Sequence, residues 1–457
     1  MSRDRAIRVP FVSEVIYRET LGDYFRYKGN TYSPVSRHEI NTKGGETLEH
    51  QAWLAAHDYL RKHQSKLART TTIQEVVKRA RRGTNLGLPN FQTWRQGTDI
   101  GIYVRRAARL IEGKKVQLYP FCLFHRSQPK GRNEWKDRVV WGSDHAETFA
   151  GLSILHPFLD AFGEAPAFAG WKGTPYVDTI MPRFLTTWPY LLDADISGMD
   201  QSVSPMWMNM VFGLIQELFD GTIPEGLLLQ LYEYYTAGGI CTPDGIFNGI
   251  HGLPSGVALT NLIDTLVMLI FTFMLMIRVG KPLGMLILGD DLALGSLDEV
   301  SLDTVESLAA EYGLKVSADK SSVSRDNIRF LQRTYDRRDL GNRGGGVYAC
   351  NRTLGRLFYT ERFPRVETLG SPENVPEDDG FVKFDDGFWV LVAYMKLENN
   401  KHHPEFRKLV EFAMSGDRNR LDPGVIGGRD KYLNDLRGYD ARDRYSMSGV
   451  KSFATYQ

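Results

Sequence analysis

The sequence predicts an α+β fold, and three observations carry that prediction. Met285 to Leu288 and Leu292 to Leu294 are short apolar runs around Gly289-Asp290-Asp291, the pattern of a β-hairpin whose glycine supplies a backbone angle that other residues avoid. Tyr190 to Leu192 reads as a buried strand within Trp188-Pro-Tyr-Leu-Leu-Asp-Ala-Asp-Ile-Ser-Gly-Met-Asp200. From Val257 to about Ile277 the chain reads as one apolar helix. An antiparallel sheet backed by helices is an α+β arrangement.

Taken in chain order, the start Met1-Ser-Arg-Asp-Arg-Ala-Ile-Arg lacks an apolar core segment, so no secretory signal is expected. The 457 residues, 42% of them hydrophobic, suffice for one large core or two or three subdomains. Net charge is +1, yet Arg61 to Val140 carries 19 Lys and Arg against 5 Asp and Glu, a local +14 that leaves −13 for the remainder. That polarity suggests a basic channel leading to an acidic, metal-binding floor. A phosphate backbone would match it, with binding that weakens as salt rises. The competing reading of a charge run is a solvated helix face, which suits Arg105, Arg106 and Arg109. Cys122, Cys241 and Cys350 are far apart in sequence and lack metal-site spacing, which fits a reducing compartment and core packing.

The carboxylates bring the chemistry. Asp290 and Asp291 at a hairpin tip are electrostatically costly without a cation, and Mg²⁺ takes hard oxygen ligands of this type. Turns are also rich in Gly and Asp for purely structural reasons. Asp195 stands where the upstream strand ends, Ser197-Gly198 breaks it, and Asp200 precedes a helix signalled by Ser204 as N-cap and Pro205 at its first position. Asp195 facing Asp290 would make a clamp for two cations about 3.5–4 Å apart. Asp193 is a rival for that position, because it points to the same side of the strand. In His251-Gly-Leu-Pro-Ser-Gly-Val-Ala-Leu-Thr-Asn-Leu-Ile-Asp264, Thr260 and Asp264 share a helix face, and Ser255 lies in the preceding loop. Asp264 interrupts a run read as short for a membrane span, so no span is expected. A buried core helix is the ordinary alternative, but an unpaired carboxylate there is costly. Sugar-hydroxyl recognition beside a metal would give it a purpose.

These segments resemble motifs A, B and C of viral RNA-dependent RNA polymerases: Asp195-x4-Asp200, Ser255-Gly256-x3-Thr260 and Gly289-Asp290-Asp291. The form Ser-Gly-x3-Thr-Asn-Leu-Ile-Asp is similar to that of double-stranded RNA viruses of the picobirnavirus and partitivirus kind. Where many positive-strand enzymes carry Asn, this chain has Asp264, which leaves open whether Asp264 or Asp200 reads the 2′-OH. Lys130-Gly-Arg132-Asn-Glu-Trp-Lys136-Asp-Arg138 resembles motif F, in an extended segment where Lys136 and Arg138 face one way. Thr84-x2-Gly87-x-Pro89 matches motif G at the template entrance. Leu314 to Ser321 resembles motif D, with Lys320 preferred to Lys315 as general acid and an ordinary surface lysine as the alternative. Ile328 to Tyr335 reads as a motif E strand, in which Arg333 is also readable as an edge-strand charge.

The resemblance implies a right-hand palm-fingers-thumb polymerase with an antiparallel palm sheet backed by helices. Fingers and an N-terminal extension would occupy residues 1–187, and the palm 188–203 and 249–340. A fingers insertion would fill 204–248, with Trp207, Phe212, Tyr232, Tyr234 and Tyr235 as core, and the thumb 341–457. A helix is expected at 301–311 and, in the thumb, around 388–397 and 404–415. It further implies template-directed RNA synthesis with two Mg²⁺ ions, Mn²⁺ being a substitute, on Asp195, Asp290 and Asp291. Lys130, Arg132, Lys136 and Arg138 would neutralise the NTP triphosphate, while Asp200, Ser255, Gly256, Thr260 and Asp264 select ribose. Thr84, Gly87 and Pro89 would line the RNA template. Expected partners are template, nascent RNA, NTPs and a viral capsid protein, in the host cytoplasm within or beside the virion. The rival readings are a reverse transcriptase, a non-enzymatic RNA-binding protein and a two-metal nuclease.

Overall fold

A computed structural model of the chain describes residues 25, 47–80, 84–92, 94, 97–131, 134–339, 344–358 and 386–425. Arg132, the side chains of Lys130 and Lys136, and the N-terminal start lie outside the described residues. The helices are α1 Leu48–Lys62, α2 Ile73–Arg79, α3 Gly101–Ile111, α4 His145–Phe162, α5 Thr174–Thr187, α6 Met199–Ser202, α7 Pro205–Leu218, α8 Glu225–Ala237, α9 Thr260–Val279, α10 Leu302–Glu311, α11 Cys350–Phe358, α12 Asp386–Leu397 and α13 Phe406–Gly416. Among the described residues, eleven strands interleave them as three sheets.

The central sheet runs β6 (Gly284–Leu288), β7 (Asp291–Ser296), β3 (Tyr190–Asp195), β8 (Ser322–Ser324), antiparallel throughout. Its side chains alternate between two cores. Leu192, Ala194, Ile287, Leu292 and Leu294 join the main core with α9. Leu191, Leu286 and Ala293 join a second core with Val177, Met181 and Leu185 of α5, and with Ile328, Phe330 and Tyr335. Burial on both faces explains why these strands read as apolar runs. Helix α9 begins at Thr260, three residues later than Val257, because Val257 to Leu259 form the turn that enters it. By length and composition it could cross a membrane, and 72% of that apolar stretch is buried inside the protein. Burial, not shortness, identifies it as a core helix.

The second sheet is ordered β2 (Glu134–Gly142), β1 (Phe121–Gly131), β4 (Ile240–Thr242), β5 (Gly245–Phe247). Its long β1–β2 hairpin carries the basic segment. β1 runs parallel to β4 with Cys122 opposite Cys241, so two cysteines distant in sequence are spatial neighbours; both are free thiols. The insertion between Asp200 and His251 therefore contributes strands as well as α7 and α8. Trp207, Phe212, Tyr232, Tyr234 and Tyr235 are all buried there.

The third sheet is β11 (Val347–Tyr348), β10 (Arg333–Asp336), β9 (Asn327–Phe330). It corrects the reading of 328–335 as one strand: Leu331 and Gln332, at φ 51° and 63°, turn the chain back on itself. Arg333 is no edge-strand charge. It is buried against Asp178, its Nη1 3.3 Å from Oδ2, and the same carboxylate accepts from Tyr335 Oη and the Gly346 amide, each at 3.0 Å. Arg106 likewise leaves the outward face of α3 expected for it. It pairs with the buried Asp144 at 2.7 Å and lies over the Tyr119 ring, while Arg105 and Arg109 are exposed. Ser204 and Ser301 cap α7 and α10 through the amides of Trp207 and Thr304, as their positions in the sequence suggest.

Candidate active site

The carboxylates gather at one end of the central sheet. Asp195, the last residue of β3, is the register partner of Asp291, the first of β7. Between β6 and β7 only Gly289 and Asp290 remain, and Gly289 takes φ +60°. Its amide donates to Thr265 Oγ1 of α9 at 2.9 Å, which ties the hairpin tip to the core helix. A Cβ at Gly289 would stand 3.0 Å from Nδ2 of the exposed Asn261, so it is the backbone angle that calls for glycine here.

Asp200 enters from α6, placed by the left-handed Gly198 at φ 61°. Asp264 enters from the second turn of α9 and is buried. Burial, then the charges of Asp200 and Asp290, holds the Asp264 carboxyl well above the usual range, so it keeps its proton and donates a hydrogen bond to Asp200. Burial and Asp290 raise Asp200 to about 6. Burial, Asp290 and Asp195 raise Asp291 to about 7. Asp290 is itself exposed at the tip. The cluster is thus an excess of negative charge gathered from three separate chain segments.

Cations face it from three sides. Lys320 Nζ lies 2.8 Å from Asp195 Oδ2. Its position follows from local zipping: the Ser317 amide donates to the Asp195 carbonyl at 2.8 Å and the Asp195 amide to Ser321 Oγ at 3.2 Å. Arg138, exposed on β2, is near enough to oppose the rise of Asp200. Arg352 of α11 does the same for Asp291 and donates to Gln332 Oε1 at 3.0 Å. Sequence reasoning missed Arg352, since nothing in its local pattern marks it. Asp193 is committed elsewhere: it accepts from Ser322 Oγ at 2.7 Å and from Arg329 Nε at 3.0 Å.

The Ser255-Gly256 loop rests on the end of β2. The Trp141 amide donates to Ser255 Oγ at 3.4 Å, and a Cβ at Gly256 would run into the Trp141 carbonyl. Thr260 Oγ1 donates into the same loop, at 3.1 Å from the Pro254 carbonyl and 3.0 Å from that of Val257, and retains acceptor capacity alone. Thr84, Gly87 and Pro89 lie in a loop closed by the Trp94 amide donating to the Thr84 carbonyl at 2.9 Å. Gly87 is buried at φ +67°, while Thr84 and Pro89 are exposed.

The donor set suits a hard divalent ion: carboxylate oxygens only, with three carboxyls raised by burial and then by mutual repulsion. Among the described residues, no three His, Cys, Asp or Glu side chains already converge on a single ion position. The ammonium of Lys320 instead supplies positive charge at Asp195.

An antiparallel sheet bearing these carboxylates, with the motifs in this order along the chain, defines a class, and the family profile of viral RNA-dependent RNA polymerases matches residues 26–366. The chain belongs to that family. Among its relatives are the potential RNA-dependent RNA polymerase of a human picobirnavirus, 27% identical over 312 residues, and the RNA-directed RNA polymerase of Cryptosporidium parvum virus 1, 28% identical over 428. These alignments cover 66% and 83% of this chain; it spans about half (54%) of the picobirnavirus protein and 78% of the other. The crystal structure of a human picobirnavirus RNA-dependent RNA polymerase has the same fold, with a TM-score of 0.74 at 22% identity over 96% of this chain and 82% of that one. An insertion-loop deletion mutant of that polymerase matches with a TM-score of 0.73 over the same shares.

Proposed function

We propose that this chain is an RNA-directed RNA polymerase that replicates and transcribes a viral RNA genome by two-metal nucleotidyl transfer. The carrying observation is the Asp195–Asp291 register pair beside Asp290, with Asp200 and Asp264 behind and Arg138 and Lys320 in front. Two Mg²⁺ ions, or Mn²⁺ as substitute, held by Asp195 and Asp290 with Asp291 assisting, would lower the pKa of the primer 3′-hydroxyl and stabilise charge at the α-phosphate.

The chain's own residues do the rest. Arg138, with Lys130, Arg132 and Lys136 of the same sequence segment, binds the triphosphate and aligns its α-phosphate. Asp200, accepting the hydrogen bond from Asp264, keeps lone pairs for the ribose hydroxyls, with Ser255, Gly256 and Thr260 beneath the sugar. Lys320 moves from Asp195 to the leaving pyrophosphate and donates its proton. Thr84, Gly87 and Pro89 guide the template. The central sheet, within 188–203 and 249–340, is the palm; residues 1–187 and 204–248 are fingers, and 341–457 the thumb. We place the activity in the host cytoplasm, within or beside a capsid.

The test is nucleotide incorporation on homopolymeric RNA in Mg²⁺. Poly(C) should direct GMP incorporation alone, with dGMP strongly disfavoured. Preference for dGMP would indicate a reverse transcriptase, and template degradation a nuclease.

A further inference from the structure

One buried acid belongs to none of these motifs. Glu147 lies fully buried in the first turn of α4. A glutamate there ordinarily reaches back to the amide of the N-capping residue. In this chain the cap is Asp144, which serves the Ala146 amide at 2.9 Å, and its own amide donates to Tyr234 Oη at 3.4 Å. Glu147 is released from that duty and turns towards the Ser255 loop.

Its Oε1 accepts from the Tyr235 hydroxyl and from the Ala258 amide, the latter at 3.2 Å. Ala258 sits between Ser255 and the start of α9. One turn further along α4, a Cβ added at Gly151 would stand 2.6 Å from Ala258 Cβ, so helix and loop touch with no layer between them. The other side of the loop is pinned by the end of β2 and the residue after it: the Trp141 amide donates to Ser255 Oγ and Ser143 Oγ donates to the Gly256 carbonyl, each at 3.4 Å. The loop is therefore held at Ser255 and Gly256 from one side and at Ala258 from the other. Ser143 is also a hydrogen-bond partner of the Glu147 carboxyl, so this ionisable group reaches both holds. A buried carboxyl with no ligand of its own is costly to retain unless it does something that an apolar residue cannot.

We infer that Glu147 is the positioning residue of the Ser255–Ala258 loop, and that through this loop it sets the enzyme's preference for ribose over deoxyribose. The inference rests on the polymerase reading above. Glu147 lies outside the carboxylate cluster; it fixes the height of Ser255 and the start of α9, whose first and second turns carry Thr260 and Asp264. Burial pushes its carboxyl up to about 7 against the opposing bonds from Ser143, Tyr235 and Ala258, so the neutral acid is accessible near neutral pH. Glutamine, which keeps an oxygen at Oε1, reproduces that form.

The test uses the full chain with Glu147→Ala, Glu147→Gln and Tyr235→Phe. Two readouts are taken: kcat and KM for an rNTP and its matching dNTP on an RNA template, and hydrogen exchange across residues 253–262. Glu147→Ala should raise the rNTP KM, lower the ribose-over-deoxyribose ratio of kcat/KM by about tenfold, and speed exchange at Ala258. Glu147→Gln should stay within about threefold of wild type on every count. Tyr235→Phe preserves the packing and should lower the ratio by about threefold, which decides the matter should Glu147→Ala fail to fold. Overturning results would be an unchanged ratio and KM in the Ala or Phe variant, even with a lower yield of active enzyme, or a Gln variant as impaired as Ala. Failure of the wild type to incorporate either nucleotide would contradict the polymerase reading instead, and loop exchange in the three variants would still decide for or against the brace.

Discussion

Replacing Lys320 by alanine should separate catalysis from stability. Its ammonium lies 2.8 Å from Asp195 Oδ2, with side-chain exposures of 49% for the lysine and 28% for the aspartate. At that distance the bare Coulomb attraction is about 6 kcal/mol at an effective dielectric near 20, and about 1.5 kcal/mol in water. Solvent screening and side-chain entropy bring so exposed a pair down to about 1 kcal/mol or less. The melting temperature should therefore hardly move. Two other quantities should both fall. Removing a cation that competes for Asp195 lowers the half-saturating Mg²⁺ concentration, by up to about fivefold for 1 kcal/mol. Removing the proton donor for pyrophosphate lowers kcat by about 10²–10⁴. Lys320→Arg keeps the charge but not the acidity, so its kcat should fall while its Mg²⁺ requirement stays near wild type. Mg²⁺ titrations of single-nucleotide addition, with thermal unfolding in parallel, measure all three. A Lys320→Ala enzyme with kcat within about twofold of wild type would refute the reasoning.

Further expectations concern the sheet and its buried charges. Gly289→Ala forces a side chain into φ +60° and against Asn261, costing about 1–2 kcal/mol and displacing Asp290; unfolding curves and incorporation rates should both show the loss. Asp178→Asn leaves Arg333 buried without its counter-charge and should destabilise by about 3–5 kcal/mol in denaturant titration. In the wild type, bonds from His402, Gly346, Arg333 and Tyr335 outweigh burial and hold the Asp178 carboxyl below its ordinary value. Its contribution is complete above the ordinary carboxylate pKa and is lost as the pH falls through the depressed one, so acid unfolding of Asp178→Asn should be less steep. Asp200 and Asp291 have the opposite sign. Raised to about 6 and about 7, they favour the folded state at low pH, and that contribution is lost as the pH rises through those values. Mg²⁺ should accordingly raise the melting temperature more at pH 8 than at pH 5, which differential scanning fluorimetry can follow.

The sequence was most readable where the physics is local. Short apolar runs on either side of Gly289-Asp290-Asp291 gave the hairpin, and Ser204 and Ser301 announced their helices through capping chemistry. The sequence sets Asp195 facing Asp290, whereas the strand register places it opposite Asp291, one residue further on. What escaped detection depends on distant partners. Arg333 reads as a surface charge because Asp178, which neutralises it, lies 155 positions away. The turn at Leu331 and Gln332 carries neither Gly nor Asn, so no residue type advertises its left-handed backbone. Glu147 and Arg352 gain meaning only from what tertiary folding sets beside them, Ala258 in one case and Asp291 in the other. Cys122 and Cys241 meet because β4 returns to lie alongside β1, a crossover that spacing alone does not encode.

The central claim is that the carboxylates at the end of the central sheet form the metal site of an RNA-copying enzyme. Labelled nucleotide incorporation on a single-stranded RNA template in Mg²⁺, comparing wild type with Asp290→Ala and measuring RNA affinity alongside, tests it most directly. The account predicts templated rNTP incorporation by the wild type and a loss of about a thousandfold or more in Asp290→Ala, with RNA affinity almost unchanged. Equal incorporation by the two proteins would contradict it.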